Sequence, residues 1–274
     1  MEYSFENSQL LHYNTETLVK VKTCTEIRTG VTRVAKIYKA EQLRRAKRFS
    51  NAEGQLSSSS GLEDVEREIN VLRKINHPNC ISLTDVIEAN GKLKLIFALN
   101  RGPIMRLEPP MSYTRICREL RDPPTVVRLG TDLIDALTYL KSSNIVHKDI
   151  KPDNVLVGDD GRFVLSDFGS ARIVPAELVA ESPATIGFFP PEICSSEPSL
   201  EYSGYKADLF AAGLVVFCAT FERMPYELDN PDDVTELLDA ICKWDFSQSK
   251  ESSLVAPELR PLICRLLNRN PELR

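Results

Sequence analysis

Ile145-Val146-His147-Lys148-Asp149-Ile150-Lys151-Pro152-Asp153-Asn154-Val155-Leu156-Val157, followed by Asp167-Phe168-Gly169, is the stretch on which the reading of this 274-residue chain turns. Val155-Leu156-Val157 and Phe163-Val164-Leu165 flank Gly158-Asp159-Asp160-Gly161, which is the pattern of a tight hairpin. Asp-Phe-Gly alone is only a turn. The information lies in the order and spacing, with Asn154 five residues after Asp149 and the Asp-Phe-Gly beyond both.

In that order the stretch resembles the catalytic loop and metal-binding turn of a eukaryotic serine/threonine protein kinase. The resemblance implies an α+β, two-lobed fold. Residues 1–99 would form a small antiparallel β lobe with one main helix, and 100–274 a mostly helical lobe. It implies ATP and Mg²⁺ as cofactors and a protein hydroxyl as acceptor. Phosphoryl transfer asks the protein to aim a hydroxyl, hold metal and neutralise charge. Asp149 is then expected to take the acceptor's proton and Lys151 to reach the transferring phosphate, while Asn154 and Asp167 offer hard oxygens to the metal.

Composition agrees with a globular enzyme: 42% of residues are hydrophobic, enough to bury one large core or two lobes. A net charge of −5 and a pI near 5.5 argue against a nucleic-acid surface. Basic residues cluster only at Arg44, Arg45, Lys47 and Arg48. The seven cysteines are scattered and odd in number without a C-x-x-C pair, pointing to free thiols in the cytoplasm or nucleus. The longest apolar run, Leu209 to Ala219, is too short for a bilayer, so no membrane association is expected.

Working back towards the N-terminus, Leu18 to Cys24 and Val31 to Tyr38 alternate in period two around Thr29-Gly30, a hairpin. Val34-Ala35-Lys36-Ile37 resembles the third kinase strand, whose lysine contacts phosphates and pairs with a helix glutamate. That glutamate is expected to be Glu68, on a helix from Leu62 with Val65, Ile69 and Leu72 on one face, stopped by His77-Pro78-Asn79. The family's glycine-rich loop is missing. Its place is taken by Asn14-Thr15-Glu16-Thr17-Leu18-Val19, with no glycine and with an acid that would face ATP. The alternative this raises is a pseudokinase scaffold with impaired ATP binding.

Residues 40–61, charged and then serine-rich, read as a mobile insert that cannot build a core, with a docking role as the sharper reading. A second hairpin, Ile81 to Ala89 and Lys92 to Leu99 around Asn90-Gly91, leads to the adenine site. There the resemblance implies Phe97 as the residue guarding the pocket, the backbone of Ala98 and Asn100 against the adenine edge, and Val21, Ala35 and Leu156 above and below it. Arg101-Gly102-Pro103-Ile104-Met105, together with the insert and Leu156 to Gly161, is most similar to the calcium/calmodulin-dependent protein kinase kinases. That similarity implies another kinase as substrate. Calmodulin could act only through segments outside this chain, because no basic amphipathic target helix is evident.

Downstream, a proline-containing loop (Pro109, Pro110, Pro123, Pro124) precedes a helix from Thr125 to Ser142. Thr185 matches the threonine that bonds the catalytic aspartate and lysine in serine/threonine-specific members. Lys148 stands where phosphorylation-dependent kinases carry arginine, implying weak dependence on a phosphosite such as Ser182. The resemblance also implies that Asp208 anchors the catalytic loop and that Glu192 pairs with Arg274 at the end of a helix running from Leu262.

Overall fold

The computed structural model describes residues 2–15, 18–52, 55–108, 112–174, 178–179, 184–194 and 202–274, with backbone alone at 47–52, 55–59, 107–108 and 178–179. The N-terminal part is built on one antiparallel sheet. Strands β1 (Tyr3–Ser4) and β2 (Leu10–Tyr13) both pair with β3 (Lys20–Glu26), which pairs with β4 (Thr32–Lys39). Helix α1 (Ala40–Arg45), strands β5 (Lys47–Ala52) and β6 (Gln55–Ser60), and helix α2 (Gly61–Leu72) follow, before β7 (Leu83–Ala89) and β8 (Lys92–Ala98) complete the order β1-β3-β4-β8-β7. Asn90 and Gly91 both take positive φ, 52° and 69°, which makes the tight turn that two-residue antiparallel hairpins require.

The insert, read as a segment without a core of its own, carries regular backbone elements. Residues 40–61 carry α1 and the β5–β6 hairpin, with Lys47 opposite Ser60. The last serine of the run is the N-cap of α2, for the Ser60 hydroxyl accepts from the Glu63 N–H at 3.2 Å while the Glu63 carboxylate accepts from the Ser60 N–H at 2.8 Å. That reciprocal box fixes where α2 begins. The helix ends at Leu72, before the His77-Pro78 stop that the sequence suggested, and buries Val65, Ile69 and Leu72 as its spacing predicts.

After β8 the chain makes a short hairpin, β9 (Met105–Glu108) and β10 (Ser112–Arg115), part of whose connection contains Pro109 and Pro110, outside the described residues. Helix α3 (Pro123–Ser142) starts two residues earlier than read, because prolines are tolerated in a first helical turn whose N–H groups have no partner. Strands β11 (Ile145–Val146), β12 (Val155–Val157), β13 (Phe163–Leu165) and β14 (Arg172–Ile173) frame the quoted loop. β15 (Leu178–Val179) and β16 (Tyr202–Ser203) pair across the segment that includes α4 (Pro191–Cys194).

Helix α5 (Gly204–Phe221) is the centre of the large lobe. Among the described helices it alone has the length and apolarity of a membrane span, yet 78% of its apolar window is buried inside the protein. Helices α6 (Val234–Lys243), α7 (Glu251–Leu254) and α8 (Arg260–Leu266) follow, and α3 and α8 pack on α5. The helix expected from Leu262 to Arg274 stops at Leu266, and Asn270 caps a separate 3-10 turn at Pro271–Leu273. Pro271 cannot donate into a continuing helix. One continuous apolar core runs from α2 through Phe168 to α5 and α8.

Candidate active site

Lys36 projects from β4 towards α2, where its Nζ lies 2.8 Å from Glu68 Oε1 and 2.8 Å from Asp167 Oδ1. Glu68 is only 4% exposed, and its second oxygen accepts the Tyr38 hydroxyl at 2.9 Å. Burial works against charge on Lys36, but the facing Asp167 and Glu68 carboxylates more than offset it and hold the ammonium protonated well above its ordinary range. Lys36 in turn brings Asp167 down to about 2, against the opposing effect of burial. Sequence reading missed Tyr38, although it is two residues beyond Lys36 and so on the same strand face.

Period-two geometry also corrects one site residue. Ala35 is fully buried with Cys24 and Ile96 on the opposite face of the sheet from Lys36, so it cannot contact a ligand in the cleft. The residue sharing the face of Lys36 is Val34, directly across from Phe97, while Val21 is directly across from Lys36. Phe97 is 6% exposed and part of the core, as its packing reading expects. The Asn100 amide donates to the Ala98 carbonyl at 3.4 Å. Leu156 bridges to Pro103, and Arg101 N–H donates to Val157 O at 2.8 Å, joining the exit of β8 to the strand after the catalytic loop.

The loop itself converges on Asp149, which is 8% exposed. The Thr185 hydroxyl donates to Asp149 Oδ1 at 2.6 Å, and Lys151 Nζ lies 2.9 Å from Oδ2 and 3.1 Å from Thr185 Oγ1. Asn154 Nδ2 donates to the Asp149 carbonyl at 2.8 Å and to its Oδ2 at 3.1 Å. The amide nitrogen of Asn154 is thereby committed, and its oxygen is left as a hard donor. Asp167 is 46% exposed, gives one oxygen to Lys36 and keeps the other. An uncommitted amide oxygen and an uncommitted carboxylate oxygen are a donor set that fits Mg²⁺.

The loop's shape is held from below. Asp208, on α5, accepts the His147 N–H at 2.7 Å and the Lys148 N–H at 2.9 Å, stabilising a turn in which Lys148 takes φ 69°. Burial raises the Asp208 carboxyl to about 7 despite those two donors and Lys148. His147 is fully buried, and burial lowers its pKa. In its neutral form it can donate from Nε2 to the Ser166 carbonyl at 3.1 Å and accept the Asp149 N–H on Nδ1 at 3.3 Å, with its ring edge-on to Phe168 at 4.7 Å. Sequence reading left this histidine without a role.

Lys148 O accepts the Ala184 N–H at 3.0 Å, which with the Thr185 bonds fastens the segment before α4 to the loop. Glu192 and Arg274 form the expected pair, at 2.5 and 2.8 Å, with the arginine side chain fully buried and stacked 4.8 Å from the Phe210 ring. In the stretch where a glycine loop was sought, Asn14 N–H bonds Val19 O at 3.0 Å, and Leu18 stands at φ 56°. That is a left-handed conformation a branched side chain rarely adopts. Glu16 and Ser182, both singled out in the sequence, lie outside the described residues.

Residues 17–274 match the family described as protein kinase domain. Among curated relatives, serine/threonine-protein kinase stk11 of Xenopus laevis is 31% identical over 269 residues, covering 93% of this chain and 55% of the relative. CBL-interacting serine/threonine-protein kinase 10 of Arabidopsis thaliana is 29% identical over 218 residues, 78% of this chain and 42% of the relative. CBL-interacting protein kinase 11 of Oryza sativa subsp. japonica is 26% identical over 218 residues, 78% of this chain and 40% of the relative. The chain spans about half the length of these relatives or somewhat less.

Proposed function

The chain belongs to the protein kinase family, of the serine/threonine kind, and from that premise we propose that it transfers the γ-phosphoryl group of ATP to serine or threonine hydroxyls of other proteins. The observation that carries the reading is the convergence of Thr185, Lys151 and Asn154 on the Asp149 carboxylate, with Lys36 and Glu68 already paired.

Asp149 orients the acceptor hydroxyl and takes its proton as the oxygen bonds to the γ-phosphorus and the bond to the β-phosphate oxygen breaks, releasing ADP. Thr185 and Lys151 fix the carboxylate so that little reorganisation is needed. Lys151 is close enough to Asp149 to offset charge on the transferring group. Lys36, steadied by Glu68, meets the non-transferred phosphates. Asn154 and Asp167 would hold Mg²⁺, which would supply neutralisation of phosphate charge.

The narrower reading is a kinase acting on other kinases in the cytoplasm or nucleus. It rests on the Arg101 to Met105 segment and on the insert between Lys36 and Glu68. A scaffold without catalysis is the second reading, favoured by the glycine-free loop and the left-handed Leu18. The segment before α4 is tied to Lys148 O and Asp149 through the Ala184 N–H and the Thr185 hydroxyl, which supports activity that does not wait for a phosphate.

The test is transfer of labelled phosphate from ATP with Mg²⁺ to a generic protein and to a catalytically dead kinase, comparing the chain with Asp149→Asn. Transfer that Asp149→Asn lowers by about 10²–10⁴-fold supports the reading. No transfer from folded protein favours the scaffold. Unchanged transfer after Ser182→Ala supports phosphate-independent activity.

A further inference from the structure

The segment from Arg101 to Arg121 has five arginines against two glutamates, in a chain whose net charge is −5. It is also a segment that packs against the end of the catalytic loop. Ile104 N–H donates to Val155 O at 2.8 Å and Val157 N–H to Gly102 O at 3.0 Å, and β9 packs on the Pro152–Asn154 turn. The inner face of the β9–β10 hairpin presents buried Met105 and Tyr113 to this region, where burial and then Cys218, Asp153 and Asp149 raise the Tyr113 phenol.

The other end of the hairpin is anchored to the end of α5. Tyr113 N–H donates to Glu222 O at 2.9 Å, and Arg115 pairs with the Glu222 carboxylate at 3.1 Å. Arg115 is therefore committed to the fold, and Arg101 is shared between Glu119 and Asp159 at 4.0 Å. Arg106, Arg118 and Arg121 are exposed, and among the described residues none closes an ion pair with them, Arg118 having only the exposed Glu119 as a nearby opposite charge. Arg106 lies next to Met105 on the outer face of the strand, opposite Thr114. Arg118 follows Cys117, whose N–H bonds Ile104 O at 3.0 Å, so both guanidinium groups spring from backbone stitched to the same carbonyl region.

Solvated guanidinium groups near the catalytic loop, with no ion-pair partner among the described residues, are complementary to carboxylates or phosphates, which they grip with a planar fork. We infer that Arg106 and Arg118, with Arg121 behind them, form a substrate-docking strip that selects acceptor peptides carrying acidic side chains next to the serine or threonine. This rests on the proposed phosphotransfer for its biological sense, but the docking itself is a binding property. Each exposed charge pair is worth at most about 1 kcal/mol, or roughly fivefold. Reversing two charges removes two attractions and adds repulsion, giving about tenfold or more.

The experiment uses fluorescently labelled peptides with alanine at the acceptor position, flanked by glutamates, by neutral residues or by lysines, and reads binding by anisotropy at low and high salt. The whole chain is compared with the Arg106→Glu/Arg118→Glu variant, whose changes are on the surface and outside the catalytic machinery. The expected result is at least tenfold tighter binding of the glutamate peptide than of the neutral one. That preference should shrink as salt screens it and disappear in the variant. Equal binding of all three peptides, or a preference the variant retains, overturns the strip. Transfer to serine-bearing versions is measured in parallel. Transfer without an acidic preference leaves the kinase standing and removes the strip, whereas an acidic preference without transfer keeps the strip and removes the kinase.

Discussion

Replacing Lys36 by methionine tests the geometry at its most connected point. Lys36 is 20% exposed and touches a glutamate that is only 4% exposed, so its removal strands a nearly dry carboxylate. Breaking a buried pair from one side costs roughly 3–5 kcal/mol. The Tyr38 hydroxyl, still donating to Glu68, offsets about 1 kcal/mol of that. Loss of the Asp167 contact adds only about 1 kcal/mol, because that carboxylate is nearly half exposed and screened. The expected net loss is about 3–5 kcal/mol near neutral pH, read by urea unfolding as a midpoint about 1–2 M lower.

The pH dependence carries the sign. Asp167 has its pKa depressed to about 2 from 3.8, so its stabilisation is complete above pH 4 and is lost as pH falls through 2. Lys36 is raised, so its contribution is complete below its ordinary pKa of 10.5 and is lost only in stronger alkali. Lys36→Met should therefore flatten the acid limb between pH 4 and pH 2. Lys36→Met/Glu68→Leu should recover most of the lost stability while remaining inactive, since no charge is then stranded. A loss below about 1 kcal/mol for the single variant, or no recovery in the double one, would refute the buried-network argument.

Arg274→Lys keeps a charge but loses the two-pronged grip on Glu192 and the stacking on Phe210, and should lower stability by about 2 kcal/mol in thermal unfolding. Leu18→Gly relieves a left-handed backbone that costs a side-chain-bearing residue roughly 1–2 kcal/mol, and should lower the KM for ATP several-fold in steady-state kinetics. A Cβ at Gly213 would meet Leu266 Cβ and Leu267 Cδ2 at 2.8 Å, so Gly213→Ala should destabilise by about 1–3 kcal/mol in urea titration with kcat little changed.

The chemistry and its order along the chain were legible in the sequence, because the residue types around Asp149 follow one another at the spacings that protein kinases use. The resemblance to the kinase family also marked Glu68 and Glu192 as partners of Lys36 and Arg274 across 32 and 82 positions. Hairpins at Gly30, Asn90 and Gly158 were legible because turn chemistry is local. What only the tertiary structure decided was orientation. Strand alternation set Val34, and not Ala35, on the face of Lys36, a one-residue shift that carries a side chain through the sheet. Folding also recruited Tyr38 and His147 to steady groups elsewhere in the chain, while Asp208 took the anchoring place expected of it. It turned a serine run with no hydrophobic pattern into a hairpin and a helix cap, since a cap depends on where the next helix begins, and packing and hydrogen bonding settle that once the chain is closed.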